Sequence, residues 1–180
     1  MNRDPDRSGQ AGALTVLTPI VAGAEPDLRA YLEGLRAGPS PLARVPGTHF
    51  GRWVIVSDLV AEDERGPDHL AGPYLLFTAS FDGSLDAYLD ELCKELAAEA
   101  KEIWGRCAGA PQPAAGASLK AYLRAHHHKT GFFVAAYPDA TVAKVRAALA
   151  QRDDAIAFAR DAQGMDPGQL QAAFLERLGG

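Results

Sequence analysis

Cysteine is scarce in this sequence: Cys93 and Cys107 stand alone among 180 residues. On one continuous helix, 14 residues at 1.5 Å each would hold them about 21 Å apart, far beyond the roughly 7 Å that a disulfide spans. Both therefore read as reduced, buried, small side chains of the kind a cytoplasmic protein carries. Positive charge is also in deficit, with 18 Lys and Arg against 23 Asp and Glu for a net charge of −5. The basic residues are scattered, which argues against nucleic acid or an anionic membrane as the main partner. No run approaches the roughly 18 apolar residues of a membrane span. The GxGxxG, P-loop, HExxH, GxSxG and CxxC patterns are missing, and with them the recognisable routes to nucleotide binding, zinc proteolysis and serine hydrolysis.

What is there is an ordinary globular composition, 47% hydrophobic and 23% charged, sufficient for one domain. Residues 1–12 are polar and aperiodic and read as a disordered leader, leaving 13–180 as a single domain. "ALTVLTPIV", Ala13 to Val21, is β-branched and reads as a strand; a signal peptide is disfavoured by its Thr15, Thr18 and Pro19. Leu28, Leu32 and Leu35 mark a helix that ends at Gly38 and Pro39. "HFGRWVIVSD" reads as a second strand, an acidic loop follows from Leu59 to Pro73, and "YLLFTASF" reads as a third strand. Ser84 caps a long helix in which Leu85, Leu89, Leu92, Leu96, Ala100, Ile103 and Cys107 form one stripe. A linker over 108–117, a short helix from Ser118 to about His128 and a fourth strand, "FFVAAYP", come next. C-terminal helices then carry Val142, Val145 and Leu149 inward.

This order, strand, helix, strand, strand, helix, strand, is that of the ferredoxin-like split βαβ fold: α+β, a four-stranded antiparallel sheet with helices on one face and extra C-terminal helices. It resembles the dimeric α+β barrel superfamily, in which two sheets close over each other around a ligand. That resemblance rests on element order over Ala13 to about Leu149. It implies a homodimer binding a small molecule, and an activity such as that of a cofactor-free or haem-linked oxidoreductase.

Period-2 alternation sorts the candidate site residues. Arg52 is costly to bury beneath helices, so it belongs on the open face, either clamping an anionic group or pairing with a carboxylate. Leu75, Phe77, Ala79 and Phe81 form an apolar set for the helices, which leaves Tyr74, Thr78 and Ser80 beside Arg52. His49 points the other way unless a bulge at Gly51 resets the register. Tyr137 is either an acid or donor facing a ligand, or a buried tyrosine with its hydroxyl satisfied. In "AHHHKTGFFVAAYP", helical spacing places His126 on the stripe of Leu119, Tyr122 and Leu123, while His127 and His128 join Lys129 as cations at a helix end. His126 is then a core histidine, or a general base or axial haem ligand. The function that gathers these residues is a small-molecule enzyme at the open sheet face, with His126, His49 and Tyr74 as candidate catalytic groups and Arg52, Thr78, Ser80 and Tyr137 as binding groups. Haem is the cofactor to test first. The alternative is a non-catalytic ligand-binding or dimeric interaction protein.

Overall fold

The computed structural model describes residues 4–58 and 70–178, so most of the acidic loop lies outside the described residues. The chain divides into two compact units, Met1–Asp139 and Ala140–Gly180. The first is α+β, built on an antiparallel sheet of β1 (Arg7–Ser8), β2 (Ala11–Pro19), β3 (Thr48–Val56) and β4 (Tyr74–Asp82) in the order β1-β2-β4-β3. α1 (Glu25–Gly34) connects β2 to β3, and α2 (Leu85–Glu95), α3 (Ala97–Ile103) and α4 (Gly116–Ala125) follow β4.

The expected alternation in β4 is the organising feature. Leu75, Phe77, Ala79 and Phe81 are buried, while the residues between them are only half-buried. Phe81 stacks on Tyr88 of α2 with centroids 4.2 Å apart, and Phe77 lies between Trp53 and Trp104 at 5.2 and 5.4 Å. Leu14 and Val16 of β2 join the same layer with Leu89, Leu92 and Leu96. Each such side chain contributes about 1.5–3 kcal/mol by leaving water. Ser84 caps α2 as its sequence position indicated, its hydroxyl accepting from Ala87 N.

The long helix expected through Cys107 is divided. It breaks at Leu96, and Cys107 lies in extended backbone, where it bridges Ile20 beyond the end of β2. Pairing with that segment, reinforced by Val21 N to Arg106 O at 3.0 Å and Ala108 N to Pro19 O at 2.8 Å, turns the chain out of the helix.

Two expectations are overturned at the free edge of β2. Residues 6–12, expected to lack structure, contribute β1 and the start of β2, joined by the two-residue turn Gly9–Gln10. Residues 132–138, expected to be the fourth strand, are not a strand. The edge they would need is already taken, by Arg7–Ser8 opposite Ala11–Gly12 and by His127 opposite Val16. The segment instead runs beside the hairpin, held by Gln10 N to Pro138 O at 2.8 Å and Ala135 N to Ser8 Oγ at 3.0 Å. Phe132 and Tyr137 are consequently 85% and 81% exposed.

The second unit is a helical hairpin of α5 (Val142–Asp161) and α6 (Pro167–Leu178), closed by Phe158 against Phe174 at 5.9 Å. Contrary to expectation, Val145 and Leu149 do not point into a core, and no residue of α5 is buried.

Gly9 has φ +62, which suits the first central position of a type II′ turn, and a Cβ there would meet Pro138 O at 2.4 Å. Gly9→Ala is therefore expected to cost about 2 kcal/mol from the left-handed backbone and the collision together. Urea unfolding measures this; a loss under about 0.5 kcal/mol would contradict the described turn.

Candidate functional site

The open face is set by pairing register. Three cross-strand rows lie side by side: Leu17–Leu76–Val54, Thr15–Thr78–Arg52 and Ala13–Ser80–Phe50. Neighbouring rows on one face are two residues, or about 7 Å, apart. A polar row thus lies between flanks carrying Leu, Val and Phe, and Phe50 is 78% exposed. Arg52 Nε donates to Thr78 Oγ1 at 3.2 Å. Its guanidinium meets no carboxylate among the described residues.

His49 reaches this face by a bulge. The register shifts between Thr48 and Phe50, rather than at Gly51, and His49 Nε2 lies 2.8 Å from Asp82 Oδ1. Asp82 was not among the candidate residues; its spacing of two from Ser80 at the end of β4 was the signal that it shares the open face. Gly51 has a different task, since a Cβ there would sit 2.7 Å from Leu42 Cδ1.

Arg52, Thr78, Ser80 and His49 are therefore gathered on one face. Tyr74 shares that face but lies at the other end of β4, eight residues and about 26 Å from Asp82. Tyr137, off the sheet and exposed, is not brought to it.

The histidine triplet does something else. His126 caps α4, with Nδ1 2.9 Å from the Tyr122 carbonyl and its ring 4.2 Å from the Tyr122 ring. Burial pushes the Tyr122 phenol up, and its hydroxyl donates to Ala108 O at 2.9 Å. The next two residues leave the helix and pair with β2: Leu17 N donates to His126 O at 3.2 Å and His128 N to Thr15 O at 2.8 Å. His127, expected to be a solvated cation, is enclosed. Its Nδ1 lies 3.1 Å from Thr15 O and its Nε2 3.1 Å from Asp6 Oδ2. Both partners are acceptors, so both hydrogen bonds form only when both ring nitrogens carry protons. Asp6 also accepts from Thr130 N at 2.6 Å. Burial raises the Asp6 carboxyl, but hydrogen bonds from Thr130 and the bond and charge of His127 outweigh it and leave it below the ordinary value.

Burial pushes both thiols up to about 11, with the Asp90 charge adding to the effect at Cys93. Cys107 Sγ accepts from Thr18 Oγ1 at 3.3 Å. Among the described residues no three His, Cys, Asp or Glu side chains converge to hold a metal ion, and no helix is long and apolar enough to cross a membrane. A groove of about 400 Å³ lies at the β3 edge between α1 and the Trp53 side of the strand, lined by Arg29, Arg36, Pro41 and Ile55 among others. The chain matches no protein-family model, no curated protein and no solved structure.

Asp6→Asn keeps the shape of the side chain and removes its charge, and is expected to cost about 2 kcal/mol at pH 7. Because the folded carboxyl titrates below its ordinary value, its contribution is complete above about pH 5 and is lost as pH falls through the folded value. The stability gap between wild type and variant should accordingly narrow on acidification. A gap equal at pH 3 and pH 7 would dismiss the charged network. Cys93 and Cys107 should resist a disulfide reagent at pH 8 in the folded protein and react fully in guanidinium chloride. Rapid reaction of either folded thiol contradicts its burial.

Proposed function

We propose that the open sheet face binds a small amphipathic carboxylate, in the manner of the dimeric α+β barrel superfamily, and that the chain acts on it without a cofactor. The observation that carries this reading is Arg52, a cation with no carboxylate partner among the described residues, set between rows that carry Leu76 and Val54 on one side and Phe50 on the other. A guanidinium offers a carboxylate two parallel N–H donors. Thr78 and Thr15 add hydroxyls in the same row, while Leu76, Val54 and Phe50 suit the apolar part of such a ligand.

His49 and Asp82 supply the acid–base pair. The carboxylate fixes one ring nitrogen, which leaves Nδ1 to exchange a proton with a ligand anchored two rows away, Ser80 lying between. Proton transfer to or from the bound acid is the chemistry these groups allow. The reading uses Arg52, His49 and Asp82 and needs no haem. The second reading, a non-catalytic interaction surface closed by another copy, is favoured by the exposure of Phe50.

Titration of benzoate and hexanoate, followed by amide chemical shifts, is expected to perturb Arg52, Thr78 and Thr15, and Arg52→Ala should weaken binding by on the order of tenfold or more. Equal binding by the variant rejects the site. Should neither acid bind while Phe50→Glu dissociates an oligomer, the interaction reading takes its place.

A further inference from the structure

α5 is a 20-residue helix with no buried residue, although its sequence carries a heptad stripe: Val142, Val145, Leu149, Arg152, Ile156 and Ala159 fall at alternating spacings of three and four. Val145, Leu149 and Ile156 are 43%, 44% and 52% exposed. Its hairpin partner does not cover this stripe. α6 approaches from another side, through Phe158 to Phe174 at 5.9 Å and Asp161 to Arg177 at 3.0 Å. A two-helix hairpin leaves such a stripe in water unless a further helix meets it.

Charge along α5 selects the occupant. The first ten residues carry Lys144 and Arg146 with no acid, and the last ten carry Asp153, Asp154 and Asp161 against Arg152 and Arg160. Laid antiparallel on a second α5, the basic half meets the acidic half; laid parallel, like meets like. The antiparallel register that joins Val145 to Ile156 of the other copy also joins Leu149 to Arg152 and Val142 to Ala159. It brings Arg146 beside Asp153 of the other copy twice by symmetry along one flank. Along the other flank Ala148 meets Ala155, small enough for close approach. Arg146 has no ion-pair partner among the described residues, while Asp153 meets only its neighbour Arg152, at 2.7 Å, on the exposed surface.

We propose that the α5 stripe of one copy pairs antiparallel with the α5 stripe of a second copy of this chain, giving a two-fold association that is separate from the carboxylate-binding face. An isologous contact of this kind is self-complementary and closes at two copies.

The test is sedimentation equilibrium of the full chain. Wild type is expected to dimerise, and Leu149→Glu with Ile156→Glu to be monomeric with unchanged helix content, since both positions are exposed. Arg146→Glu and Asp153→Arg should each weaken the dimer by about tenfold, two symmetry-related pairs being reversed at once. The double charge swap should restore it. A wild-type chain that stays monomeric at 0.5 mM overturns the inference. So does a dimer that survives Leu149→Glu with Ile156→Glu, or a charge swap that restores nothing. Carboxylate titration of the same samples reads the sheet-face proposal independently.

Discussion

Alternation along β4 is the constraint on which the first unit depends. A strand of period two can bury one set of side chains under helices only by presenting the other set elsewhere. Leu75, Phe77, Ala79 and Phe81 take the helix side without exception, so Tyr74, Leu76, Thr78, Ser80 and Asp82 must face away. β4 lies between β2 and β3, pairing with β2 over its whole length and with β3 from Tyr74 to Phe81, so it imposes the same sorting on each neighbour. Arg52 is on the open face because Trp53 is not. A one-residue slip of β3 would send Arg52 under the helices and Trp53 into water, exchanging a buried aromatic pair for a buried charge. That penalty is what keeps the polar row continuous from Thr15 to Arg52.

The bulge between Thr48 and Phe50 is the one place where β3 escapes this sorting, and it is where His49 meets Asp82. An extra residue there lets a titratable side chain join a face that strict alternation would deny it. The candidate site is therefore assembled by two opposed devices: a regular ladder that lines up Arg52, Thr78 and Ser80, and a local defect that adds the histidine.

Much of this was legible in the sequence, for reasons that also explain the rest. The strands β2, β3 and β4, the cap at Ser84, and the face assignment of Arg52, Thr78 and Ser80 follow from periodicity and local chemistry, which a single segment carries within itself. The bulge at His49 depends on a register shared with another strand, so no local pattern announces it. The fourth strand was misread because "FFVAAYP" has the right composition for a strand but its docking edge is occupied by Arg7–Ser8, more than 100 positions earlier, and by His127 just before it. Likewise His127 looks like a helix-end cation until Asp6, 121 residues away, is brought against it. The side-chain partners of Asp6 and Ser8 lie at the far end of the unit, so a polar leader gives no sign of them. The Ser8–Gly9–Gln10–Ala11 sequence did hold a turn signal, a glycine at the first position of a two-residue hairpin loop.

The Asp6–His127 pair has a topological consequence. With Thr130 on Asp6 and Ala135 on Ser8, separated by 124 and 127 positions, the start and finish of the first unit lie together. A unit whose ends meet can be opened elsewhere and rejoined there, or spliced into a surface loop of another protein, without its sheet being rerouted.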